Sequence, residues 1–236
     1  MLQSECWCGS CQQSAKNLID AKCRNMTMLL KRYLGYRKIK FPDQAKIIEK
    51  NILLLNKERT ALQSAKQRAE IMLAEARGAR AYWTSFALLS HCPTGWHRIH
   101  PGATDPWNQA LNIGYTMLAD FLRPLITNFG FSLEIGILHA PESGDEPLVY
   151  DFEELFRQPL VDSCLLPLFA RTNEYRFDKK SILNKLRQSF EKPIRYSSQN
   201  MKPRTVVQNE LYAFRRALSE QAAYKPYRHS WAHRTK

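Results

Sequence analysis

The chain has 236 residues, a formal net charge of +13 and 44% hydrophobic residues. That length allows one large domain or two small ones with a real core, and no apolar run of about 18 residues marks a membrane span. With 9 Gly against 12 Pro and apolar residues recurring at helical spacing, the pattern predicts a mainly α protein.

The charge is unevenly placed. Residues 1–170 hold 19 Lys and Arg against 17 Asp and Glu, whereas residues 171–236 hold 16 against 5. A near-neutral body with a basic C-terminal third points to a polyanion partner, most simply nucleic acid. Tyr175, Tyr196, Tyr212, Tyr224, Tyr227 and Trp231 alternate with those cations, a pattern that favours binding over mere solvation. No signal-peptide pattern opens the chain, so a cytoplasmic location is expected, and its six cysteines are expected to be reduced.

In chain order, Cys6, Cys8 and Cys11 come first, with Cys23 further on. That is no regular zinc spacing and no histidine lies near, so they read as free thiols. Residues 12–34 read as an amphipathic helix on Leu18, Ile19, Met26, Leu29 and Leu30. A helical pattern then runs from Asp43 to about residue 90, as one long helix or two with a break. Ile47, Ile48, Ile52, Leu55, Leu62, Ile71 and Leu73 recur along it. Glu75 sits there among Ala74, Ala76, Gly78, Ala79 and Ala81. It belongs either to a tight helix contact, where a carboxylate needs a partner, or to the surface, paired with Arg80.

Residues 91–104 form a loop with His91, His97 and His100, away from the acids. Asp105 and Pro106 read as cap and first residue of an apolar helix that Gly130 ends. That helix carries Asn108, Asn112 and Tyr115 as a polar stripe. His139 precedes a polar turn, after which Asp151, Glu153 and Glu154 follow the apolar run Leu148–Tyr150. Asp151 and Glu154 share one helix face. With an imidazole upstream they make a possible site for Mg²⁺ or Mn²⁺; the alternative is acids favoured at a helix N-terminus. A buried helix through Cys164–Phe169, a basic helix over 178–190, a linker over 192–205, a helix over 206–221 and a basic aromatic tail complete the chain.

Several segments together resemble one family, the metal-dependent CRISPR spacer-acquisition integrase. AKNLIDAKCRNMTMLL is similar to the A-K-x-I-x-x-K-x-x-N of its first helix, and EARGARAYW to its E-G-x-x-A-R-x-Y-W segment. DPWNQALNIGYTML resembles D-P-V-N-A-L-L-x-x-G-Y-x-x-L, and GILH resembles G-x-L-H. LVYDFEELFRQPLVD resembles L-V-Y-D-L-x-E-x-F-R-P-x-V-D, and YKPY its closing Y-x-P-Y/F. Ala76 replaces a Gly of the pattern, and Trp107 a small aliphatic residue.

The resemblance implies a multi-helix catalytic domain over residues 12–170. A Cys-containing segment over 1–11 precedes it, and 171–236 form its basic C-terminal extension. It places metal ligands at Glu75, His139 and Glu154, an auxiliary acid at Asp151, and supporting residues at Asn108, Tyr115 and Arg157. It implies cleavage and strand transfer of DNA with Mg²⁺ or Mn²⁺, joining short foreign fragments into the CRISPR repeat. It also implies a small acquisition partner protein and a homodimer. Members of the family begin with a β-rich domain, which this sequence is expected to lack, since Met1 stands almost at the start of the helical part. The competing expectation is a catalytically silent DNA-binding remnant.

Overall fold

The computed structural model describes residues 9–139, 146–170 and 178–231. Cys6, Cys8, the polar turn at 140–145, Tyr175 and the last five residues lie outside them.

The described chain is mainly helical, as expected. Helix α1 (Gly9–Lys40) runs further at both ends than its apolar repeat predicts. Its last turn carries Arg37, Lys38 and Lys40, cations that suit the negative end of the helix dipole. Phe41 and Pro42 then start α2 (Pro42–Ser64), with proline in the first turn, where its missing N–H is no loss. Helix α3 (Arg68–Leu89) opens on a capping box between Gln67 and Glu70. The long pattern is therefore two helices, and the break falls at 65–67, where Ala65 turns to extended backbone.

Asp105 caps α4 (Pro106–Asn128) by accepting from the Asn108 amide, as the sequence predicts. Gly130, with a φ of +74°, reverses the chain beyond its C-terminus. After an irregular segment come α5 (Pro147–Phe156), a π-helical turn (Arg157–Asp162) and α6 (Ser163–Phe169). The turn contains Pro159, whose ring would clash with the carbonyl four residues back in an α-helix; the wider winding accommodates it. Helix α7 (Lys179–Glu191) is capped by Asp178, and α8 (Pro203–Ser219) follows.

Helix α1 is the spine. It packs against α2 and α3 on one side and against α5 and the π-turn on the other, while α4 lies against α5, the π-turn and α7. Leu18, Ile19, Leu29 and Leu30 of α1 are wholly buried. No helix of the described residues is long and apolar enough to cross a membrane.

Three expectations are corrected. Residues 192–205 are no mere linker: β1 (Ile194–Tyr196) and β2 (Gln199–Met201) form an antiparallel hairpin with Ile194 opposite Met201. The C-terminal segment is no free aromatic tail either. Tyr224, Tyr227 and His229 are buried. Tyr224 and Tyr196 donate their hydroxyls, and Tyr227 its amide, to Glu210 of α8. The His229 amide and the Arg24 guanidinium then tie this strap to α1, through Asn25 Oδ1 and the His229 carbonyl. A buried carboxylate that takes three donors pulls these aromatic residues inward. Finally, Cys11 is disulfide-bonded, whereas Cys23, Cys92 and Cys164 are free as expected.

Candidate active site

The site forms where α1 passes between α3 and α5. Lys22 stands on the buried face of α1, four residues after Leu18 and four before Met26. Its ammonium lies 2.5 Å from Glu75 Oε1 on α3 and 2.7 Å from Glu154 Oε2 on α5. The side chains of Lys22 and Glu154 are 5% and 4% exposed, that of Glu75 21%, so the cluster opens to solvent on the Glu75 side. Burial alone would lower the Lys22 pKa, but the charges of Glu154 and Glu75 outweigh it and hold it above its usual value.

The other oxygen of Glu154 is also engaged. Arg157 donates from Nη1 to Glu154 Oε1 at 2.7 Å and from Nη2 to Glu153 Oε2 at 2.8 Å. Burial would raise the Glu154 pKa, yet Arg157 and Lys22 hold it below the ordinary carboxylate value. Glu153, with less compensation, is pushed up by burial. The Arg157 guanidinium lies over the Tyr115 ring, 4.8 Å from its centroid. Tyr115 and Tyr82 both donate their hydroxyls to Asp162 at 2.6 Å. Burial lifts that carboxyl to about 6 despite these donors. The π-turn thus supplies Arg157 at one end and Asp162 at the other, so α3, α4 and α5 are cross-linked by polar contacts behind Glu154.

His139 reaches the site from the segment before α5. Asp151, wholly buried, accepts from the amides of Ile137, Leu138 and His139. Its Oδ1 also lies 2.7 Å from His139 Nδ1. The segment can wrap the carboxylate this tightly because residue 136 is glycine. A Cβ there would meet the His139 carbonyl oxygen at 2.5 Å and Asp151 Oδ2 at 2.7 Å. With Nδ1 held by Asp151, Nε2 is the ring nitrogen left for chemistry. Burial would lower the His139 pKa, but Asp151 and the charge of Glu154 outweigh it and raise it. Asp151 and Glu154, three residues apart on α5, thus serve one centre from one helix face: the first orients the imidazole, the second meets Lys22.

Glu75 and Glu154 converge on one ammonium, and His139 stands within reach of the Glu154 and Lys22 charges. Among the described residues no three His, Cys, Asp or Glu side chains stand ready to hold an ion; the cation between the two glutamates is Lys22. Asn108 spends its amide on Asp105, Arg98 and the backbone of His97 and Ile99. It joins the site only through Arg98, which lies over Tyr115. Of the loop histidines, His91 faces Arg37 and His97 its own turn, away from the acids, as expected.

Lys22, Glu153, Tyr82 and Asp162 were not singled out from the sequence as site residues. For Lys22 a signal existed: a charged residue on the apolar face of α1 must find a partner.

Helices α1, α3 and α5 thus converge on a buried acid–lysine cluster, with a carboxylate-oriented histidine beside it. The family model described as CRISPR associated protein Cas1 matches residues 9–192, and the chain belongs to that family. It is 31% identical over 175 residues to a CRISPR-associated endonuclease Cas1 of Saccharolobus solfataricus, covering 71% of this chain and 46% of that protein. It is 35% identical over 156 residues to one of Pyrobaculum aerophilum, covering 66% and 48%. The chain therefore spans about half the length of the curated relatives it matches.

Among solved structures, a casposase bound to integration product shares the fold with a TM-score of 0.74 at 20% identity, over 97% of this chain and 68% of that one. A partial Cas6-RT-Cas1–Cas2 complex does so with a TM-score of 0.78 at 16% identity, over 98% and 72%. A Cas1 protein from Thermotoga maritima aligns with a TM-score of 0.69 at 17% identity, over 94% and 71%.

Proposed function

We propose that this chain is the helical catalytic part of a metal-dependent DNA endonuclease and integrase of CRISPR adaptation. It joins short foreign DNA fragments into the CRISPR repeat array by phosphodiester transfer. The observation that carries the reading is the meeting of Glu75 and Glu154, from helices far apart in sequence, around one buried cationic group.

The donor set fits a divalent metal. Two carboxylates and one imidazole suit Mg²⁺ or Mn²⁺, and the imidazole favours Mn²⁺. Glu75, Glu154 and His139 would hold the ion, with His139 contributing Nε2. An imidazole whose other nitrogen is bound to a carboxylate is the usual arrangement of a metal-ligating histidine. The chemistry such an ion supplies when bound is polarisation of a phosphodiester and activation of a water or a DNA 3′-hydroxyl.

The rest is done by the chain itself. Asp151 fixes the ring plane and tautomer of His139. Arg157 pins one oxygen of Glu154 and leaves the other directed at the site. The exposed cations of α7 and α8, among them Lys179, Lys180, Arg187, Arg204, Arg215 and Arg216, attract the DNA backbone without reading sequence. The similar structures, one of a Cas1–Cas2 complex and one of a casposase bound to integration product, support DNA and a small acquisition protein as partners. A homodimer is part of the same proposal.

The test is nicking of branched DNA by the purified chain in Mg²⁺ or Mn²⁺. Cleavage that stops with EDTA and returns on adding metal is expected. Salt-sensitive DNA binding with no turnover in either metal would instead assign a silent DNA-binding remnant.

A further inference from the structure

The role of Lys22 goes beyond charge balance. Glu154 offers two oxygens, and Arg157 takes Oε1. Oε2 is out of contact with solvent and faces Lys22 Nζ at 2.7 Å. A second cation can reach Glu154 only through Oε2, the oxygen that Lys22 holds. The same ammonium holds Glu75 Oε1. It thus blocks both carboxylates at their shared point, from a side chain rooted on a third helix. Lysine suits this task. Its compact charge sits on a flexible stem that can withdraw, whereas a guanidinium would lock the carboxylates in a rigid fork.

We propose that Lys22 is a resident exchange cation: it keeps Glu75 and Glu154 together in the metal-free protein and must withdraw for a divalent ion to enter. This rests on the proposed metal-dependent function and deepens it. Two carboxylates drawn together with no cation between them would repel each other in a low-dielectric site. Lys22 preorganises them and at the same time competes for them. The protein binds metal only in the fraction of molecules whose ammonium has moved aside, and its apparent affinity is reduced by that fraction. Lys22 is in this sense a positioning residue.

Calorimetric titration of the purified chain with Mn²⁺ tests this, comparing wild type with Lys22→Met and Lys22→Gln. A competent fraction of ~10% in the wild type corresponds to metal binding about tenfold tighter in both variants. A purely structural lysine predicts the opposite, since its loss would let the carboxylates separate and weaken the site. Equal or weaker binding in folded variants therefore overturns the proposal while leaving the metal site intact. Absence of Mn²⁺ binding in wild type and variants alike overturns the proposal together with the metal reading. Should neither variant fold, the wild type is followed by ¹³C NMR at the Lys22 ε-carbon during addition of Mg²⁺. A shift of that resonance at the stoichiometry of binding is expected, and an unmoved resonance at metal saturation refutes the exchange.

Discussion

Replacing His139 with alanine lowers metal-dependent nicking of branched DNA by more than about 100-fold, because removing a ligand exceeds the 10–100-fold cost of removing its orienting partner. His139 is the only member of the proposed set that supplies nitrogen, and its ring lies on the solvent side of Asp151, with 28% of the side chain exposed. Truncation there leaves the Asp151 contacts to the amides of Ile137, Leu138 and His139 in place. The variant is therefore expected to fold and to bind DNA at the wild-type salt dependence while turnover is lost. Steady-state nicking measured beside a DNA-binding titration separates the two. Unchanged cleavage by His139→Ala would remove the histidine from the chemistry.

Asp151 is expected to show its effect in stability first. Its carboxylate is buried and accepts three backbone amides in addition to facing His139 Nδ1. Asp151→Ala leaves those donors buried without an acceptor, at a cost of about 3–5 kcal/mol, in the range found for breaking a buried charged network. Asp151→Asn keeps the size but turns an NH₂ group toward N–H donors, so it is destabilising as well. Urea denaturation measures both. Where the Asn variant still folds, its imidazole is no longer held in one tautomer, and a 10–100-fold loss of metal affinity follows. A loss of stability below about 1 kcal/mol for Asp151→Ala, the ordinary range of a single surface contact, would show that the segment 136–139 is held by something other than this carboxylate.

These two residues also show how much of the site the sequence discloses. Asp151 and Glu154 are legible as neighbours on one face because α5 is a regular helix at that point. The resemblance gives them different roles, but the geometric basis of that division is not legible. It depends on residues 136–139 folding back over Asp151, which in turn depends on the missing Cβ of Gly136. Glu75 offers two readings from sequence alone, a tight helix contact or a surface pair with Arg80. The structure gives it a cationic partner, on α1 and not on its own helix. Periodicity identifies faces of helices but carries no information on which faces meet. For this reason the two partners of Lys22 are visible only once α3 and α5 stand on either side of α1.

The same limit governs the fold. Apolar spacing marks α1 to α4 well, because each buries a continuous stripe. It fails at Ile47 and Leu73, which fit the repeat yet stand exposed at 45% and 54%, since α2 and α3 bury one side only. The break between those helices contains neither Pro nor Gly and rests on the cap formed by Gln67 and Glu70. The hairpin at 194–201 is too short for alternation to register. The closing strap reads as a basic tail by composition, and becomes part of the core only because Glu210 gathers Tyr196, Tyr224 and Tyr227 around it. Buried polar networks of this kind join segments distant in sequence, and local patterns do not record them.

The most direct measurement is anomalous diffraction from crystals of the chain equilibrated with Mn²⁺. One ion bonded to oxygens of Glu75 and Glu154 and to His139 Nε2 is expected, with Asp151 still on Nδ1 and the Lys22 ammonium moved off Glu154. An ion bound to Asp151 or to the loop histidines, or the Lys22 bridge intact at saturating metal, would contradict this assignment of the site.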